Sequence, residues 1–166
     1  MNEPTKQRAG MVVAAVLAAD GLLHAYWATG RTWPASDPKS LSEAVLNVNI
    51  VFGPLNVGPL AGLLLCAALL VLARVHRLGV LGRLIPDTLL QVVIVVVAVG
   101  LLLRGLAGIG WVVGLGANPG TTFYKLNLLV YTPTCLMLFV AAVAASRSER
   151  AKRKTALRHE LNIDQS

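Results

Sequence analysis

Long apolar runs separated by short polar turns dominate the chain. Four runs, at about 9–29, 57–73, 88–106 and 126–145, match the roughly 20 mostly apolar residues that a helix needs to cross a hydrocarbon core. None shows the period-two alternation of a strand. Backbone N–H and C=O groups in lipid must be satisfied within their own segment, so each run predicts a transmembrane helix. The expected fold is all-α, a polytopic membrane protein built as a four-transmembrane-helix bundle over residues 9–146. A short tail, 1–8, precedes it and a basic tail, 147–166, follows. Between the second and third runs lies a basic turn that ends in a helix-starting Pro86-Asp87.

Composition supports this reading. Of 166 residues, 55% are hydrophobic and only 14% are charged, against about 25% charged in a soluble domain. That excludes an ordinary soluble globule and a disordered chain. Positive charge is also unevenly placed. Lys6 and Arg8, then Arg74, Arg77 and Arg83, then Arg147, Arg150, Lys152, Arg153, Lys154 and Arg158 all fall on one side of the four runs. The other side holds Arg31, Lys39, Arg104 and Lys125, partly offset by Asp37 and Glu43. The positive-inside rule therefore predicts a multi-pass protein of the cell membrane with both termini cytoplasmic. A signal peptide is the competing reading of the first run, but Asp20 and His24 interrupt it and no small-x-small cleavage site follows. The tail around 147–158 reads as a solvated topology determinant that leans on anionic lipid. It lacks the folded basic surface or interleaved aromatics of a nucleic-acid binder, so no nucleic acid is expected as a partner.

The chemistry lies in polar residues inside the runs. An ionisable group at the bilayer centre costs about 2.5–3.5 kcal/mol on insertion scales, so it normally faces a cavity or a partner. Asp20, His24 and Trp27 stand at i, i+4 and i+7 and share one face of the first helix. Arg104 lies near the outer end of the third. Tyr124, Asn127 and Tyr131 occupy the entry and first turns of the fourth, where Pro133 removes a helical hydrogen bond from the carbonyl of Leu129. Asn47, Asn49 and Asn56 precede the second run. These groups predict one polar zone in the outer half of the bilayer, a cavity opening outward or sideways. Other roles stay open: Asp20 and Arg104 as a neutralising pair, Tyr26, Trp27, Trp33, Trp111 and Tyr124 as an interfacial belt, and Asn127 as interhelical glue.

The segment 105–122 carries six glycines and reads as a hydrophobic re-entrant or interfacial lid over the polar zone. It ends without the Gly-Lys-Ser/Thr of a phosphate-binding loop. Within it, Gly110-x3-Gly114 could serve helix packing in a homo-oligomer. Cys66 and Cys135 read as small apolar packing residues. There is no CxxC, metal-ligand spacing or phosphate cradle, so neither cofactor nor metal is expected.

Leu23-His24-Ala25-Tyr26-Trp27-Ala28-Thr29-Gly30, Arg104-Gly-Leu-Ala-Gly108, and Phe123-x3-Asn127-x3-Tyr131-Thr-Pro133-Thr-Cys135-Leu136 occur in order. Together they resemble a family of small bacterial four-span integral membrane proteins of unknown function, over residues 12–143. The resemblance implies the same four-helix fold. It also implies an acidic residue where this chain has Asn127, and no standard acid at Asp20.

Two classes of function follow. In the first, the protein is a membrane-embedded enzyme acting on a lipophilic, isoprenoid-type substrate, a protonation-initiated cyclase or isomerase. Asp20, desolvated and protonated, is then the general acid, with His24 orienting it or accepting the terminating proton. Tyr26, Trp27, Asn49, Arg104, Trp111, Tyr124, Asn127 and Tyr131 line the substrate site, the ring faces of Trp27, Tyr26 and Tyr131 stabilising a carbocation. In the second, the protein is a small transporter, a lipid-binding subunit or a membrane assembly partner, and Asp20 and His24 are a proton relay or a register-fixing pair.

Overall fold

A computed structural model describes residues 3–50, 52–76, 85–116 and 118–146. Its elements, in chain order, are α1 (Glu3–Ala28), α2 (Pro38–Leu46), α3 (Pro54–His76), α4 (Asp87–Val112) and α5 (Thr122–Ser146). Among the described residues α1, α3, α4 and α5 are long and apolar enough to cross a membrane, and no strand occurs. The chain is thus an all-helical, multi-pass membrane protein. Arg77, Arg83 and the basic tail lie outside the described residues.

Close approach of small and branched side chains holds the four long helices together. Val13, Ala14 and Leu17 of α1 pack with Ala68 and Val71 of α3, Ile94 and Ala98 of α4, and Leu138, Ala142 and Ala145 of α5. Lipid is as apolar as these side chains, so tight van der Waals contact rather than escape from water favours the association. Asp20 begins where this core ends. The other end of the bundle, where α2 sits, has a separate apolar cluster of Trp27, Leu41, Phe52 and Val57.

α2 is an element that the hydrophobic runs did not reveal, because it is too short to cross and lies between two of them. Its signals are its caps. The Asp37 carboxylate accepts hydrogen bonds from the Lys39 and Ser40 N–H groups, and Pro38 opens the helix. Bonds from Ser40, through its hydroxyl and its N–H, and from Ser36 Oγ hold the Asp37 carboxyl down to about 2. Protonation would surrender that cap only as the pH falls toward that value. Asn47, at φ 59°, closes the helix in the left-handed region. Its side chain donates to Gly116 O (3.1 Å), tying α2 to the α4–α5 turn.

Two expectations are corrected. α4 does not stop at 106 but continues through Gly105, Gly108 and Gly110 to Val112, so there is no lid spanning 105–122. Gly105 and Gly108 are contact points with α5. A Cβ at Gly105 would press into Leu136, and one at Gly108 would overlap Thr132 Oγ1. Packing against α5 thereby offsets the low helix propensity of glycine. Gly110-x3-Gly114 is not a motif on one helix face either, because Gly114 lies past the helix end at φ 99°. In α5, Asn127–Tyr131 form one turn of π-helix, with the Thr132 N–H bonded to Asn127 O. The turn directly precedes Pro133, which has no N–H to continue an α-helical ladder.

Candidate functional site

Asp20 and His24 form the pair that their spacing implies. His24 Nδ1 lies 3.3 Å from Asp20 Oδ1 and 2.9 Å from the Asp20 carbonyl oxygen. A carbonyl can only accept, so Nδ1 carries the proton and donates to both. Nε2 is left as the open ring nitrogen, without a partner among the described residues. The imidazole is largely enclosed, whereas 48% of the Asp20 side chain remains accessible on the bundle surface. Trp27 meets the His24 ring edge-on at 5.1 Å and leans on Phe52 at 5.9 Å.

His24 borders an open groove of about 550 Å³ at the α2 end. Val45 and Leu46 of α2, Ile50 and Phe52 of the following loop, and Leu55, Asn56 and Leu60 of α3 form its walls. The wall is apolar apart from one imidazole and one carboxamide. α3 begins with Pro54 and holds Pro59 inside the helix, where it removes the N–H that would otherwise bond Leu55 O.

A second constellation stands between α4 and α5. Asn127, fully buried, donates from its amide nitrogen to Gly108 O at 2.9 Å. That bond fixes the amide, and Oδ1 accepts from Arg104 at 3.1 Å. The guanidinium carbon lies 5.0 Å from the Trp111 ring centre and 5.6 Å from that of Tyr131. Trp111 is braced edge-on by Phe123 at 5.0 Å, and Tyr124 donates its hydroxyl proton to Val112 O at 3.2 Å.

A family described as a protein of unknown function, DUF3995, matches residues 15–142. The chain belongs to the DUF3995 family. No curated protein and no solved structure matches it.

In this DUF3995 protein the residues singled out by sequence divide between two places. Asp20, His24, Tyr26 and Trp27 belong with α1, α2 and the start of α3. Arg104, Trp111, Tyr124, Asn127 and Tyr131 belong with α4 and α5. Asn49 is exposed in the loop after α2 and joins neither. The groove beside His24 includes neither Asp20 nor Arg104, so this groove is not a hollow that gathers them all. Nor are those two charges a contact pair. Asp20 engages His24 and Arg104 engages Asn127, although the charges of both are felt at Tyr131 and Cys135.

Trp27 is not placed as an exposed belt residue would be. It is buried, and its Nε1 donates to Trp33 O at 2.9 Å, which fastens the segment after α1. Trp33 itself is 69% exposed, as a belt residue would be. The groove walls Val45, Leu46, Ile50, Leu55 and Leu60 escaped sequence reading, because apolar residues in an apolar chain carry no mark of a cavity. Among the described residues no cluster of His, Cys, Asp and Glu could hold a metal ion.

Proposed function

We propose that this protein binds a lipophilic molecule non-catalytically, in the outer-leaflet half of the cell membrane. The observation that carries the reading is the apolar groove with one correctly held imidazole on its wall. A volume of about 550 Å³ falls within the roughly 300–1,000 Å³ typical of small-molecule sites. Asp20 fixes the His24 tautomer, so Nε2 offers a hydrogen-bond acceptor to a hydroxyl or acid group on an otherwise greasy ligand. Positive-inside orientation puts both termini in the cytoplasm and the α2 end outside.

Binding is favoured over protonation-initiated cyclisation for two reasons. Asp20, the candidate acid, turns its carboxylate to His24 and does not line the groove. Tyr131, a candidate for carbocation stabilisation, already presents its ring to a permanent cation, as does the substrate-site candidate Trp111. In this reading Asp20 is a positioning residue for His24.

The test is native mass spectrometry of the full chain released from its own membranes. Wild type should retain a lipophilic adduct of defined mass. Leu60→Trp, which fills the groove, should lose it, and His24→Ala should weaken retention by about tenfold, as for loss of one buried hydrogen bond. An adduct unchanged in both variants, or none in wild type, would refute the assignment.

A further inference from the structure

The Arg104 constellation invites a separate question, independent of the groove. A guanidinium has five N–H donors and stays charged in a protein. Here one donor meets Asn127 Oδ1, and no carboxylate lies within ion-pair distance among the described residues. The rings of Trp111 and Tyr131 take up the π face of the cation but accept no strong hydrogen bond. An arginine within a membrane-crossing helix is therefore held rigidly with most of its donors unspent. Burying them without acceptors would be costly in hydrocarbon.

Depth indicates what could meet them. Arg104 stands eight residues before Val112, roughly 12 Å along the axis. Its side chain reaches toward that end, because its partner Asn127 lies in the opening turns of α5 and is bonded to Gly108. The guanidinium is thus carried toward the membrane surface, where lipid phosphates lie. Half-burial and a fixed plane suit two-pronged recognition of an oxyanion.

We propose that Arg104, set by Asn127, Trp111 and Tyr131, is a binding site for an oxyanionic group of phosphate type at the α2-side surface. A lipid head group and free phosphate share this chemistry. Asn127 is the positioning residue. The bond from its amide nitrogen to Gly108 O makes its oxygen, rather than its nitrogen, face the cation. Asp20 is engaged elsewhere, its carboxylate 3.3 Å from His24 Nδ1.

The test uses the full chain in nanodiscs of phosphatidylcholine, with or without phosphatidylglycerol, and a parallel series in phosphatidylcholine with inorganic phosphate. Readouts are lipid retention in native mass spectrometry and the thermal midpoint. Wild type should retain phosphatidylglycerol over phosphatidylcholine by about tenfold or more, for a charge-assisted contact. Arg104→Gln should abolish the preference. Asn127→Asp should do the same, because an internal carboxylate then occupies the cation. It also gives up the bond to Gly108 O, which a carboxylate cannot make, so a lowered midpoint is expected and retention is compared on the folded fraction. This second variant decides the matter if Arg104→Gln fails to fold. A midpoint raised by inorganic phosphate in wild type, and not in Asn127→Asp, supports the site with a soluble anion as its source. Equal retention of both lipids with no phosphate response overturns the proposal. A preference that survives in both variants overturns it too, assigning the selectivity to other basic residues.

Discussion

Trp27→Ala will release the segment after α1 from the bundle while leaving the four crossing helices in place. The indole is buried among Leu41, Phe52 and Val57, and its N–H holds the Trp33 carbonyl. Truncating a buried tryptophan costs about 3–5 kcal/mol. That loss falls on a small cluster in which Phe52 is the only other buried ring among the described residues, with Tyr26 partly buried against it. Local opening of residues 30–50 should therefore become roughly a hundredfold or more frequent, read as faster amide hydrogen exchange in α2. Exchange around Val13 and Leu17, inside the other core, should stay unchanged. Trp27→Phe separates ring from hydrogen bond, and should speed opening only about fivefold. Equal protection of α2 in wild type and Trp27→Ala would show that something else holds it down.

Gly108→Leu should be the most damaging change on α4. Even a bare Cβ there overlaps Thr132 Oγ1, stands 3.0 Å from Thr132 Cβ and comes within 3.2 Å of Asn127 Oδ1. Overpacking of this kind typically costs about 1–3 kcal/mol. Here it also pushes on the amide that orients Arg104. The variant should unfold at lower temperature and lose any anion response together with it. Gly108→Ala is a milder form with an internal check. Thr132 Oγ1 is buried and has no hydrogen-bond partner among the described residues, so Thr132→Ala removes the overlapping atom without breaking a bond. The double variant should recover part of the lost thermal stability, the remaining Cβ contact still requiring a small shift. No recovery would mean that the damage does not pass through the α4–α5 contact.

The four crossing helices were legible in the sequence because insertion into lipid depends on length and mean hydropathy, which a linear reading captures. The Asp20–His24 pair was legible for a related reason, since i and i+4 meet on any helix. What failed was the assembly of the polar residues into one place. The expected hollow rested on equal depth, and depth says nothing about the azimuth of each helix. Asp20 and Arg104 stand at matching depth yet turn to different neighbours, His24 and Asn127. The glycines of 105–122 were misread because propensity was weighed without packing. Gly105 and Gly108 let α5 approach, and that contact sustains the helix through them. α2 was missed although Asp37-Pro38 at its start and Asn47 at its end are ordinary capping residues.

In the proposed reading the α2 end of this small membrane protein carries two sites, one at His24 and one at Arg104. The inner core is packed with small apolar residues, while the groove beside His24 is walled by α2 and the start of α3. In the proposed reading Asp20 acts through His24, and Asn127 through Arg104.

The most direct measurement places a photo-crosslinking amino acid at Leu60, in the groove, and in a second variant at Val96, on the exposed face of α4. After irradiation in native membranes, the molecules attached at each position are identified by mass. Groove binding predicts one lipophilic species strongly enriched at position 60, and the mixed bulk lipids at position 96. The same bulk mixture at both positions would contradict it.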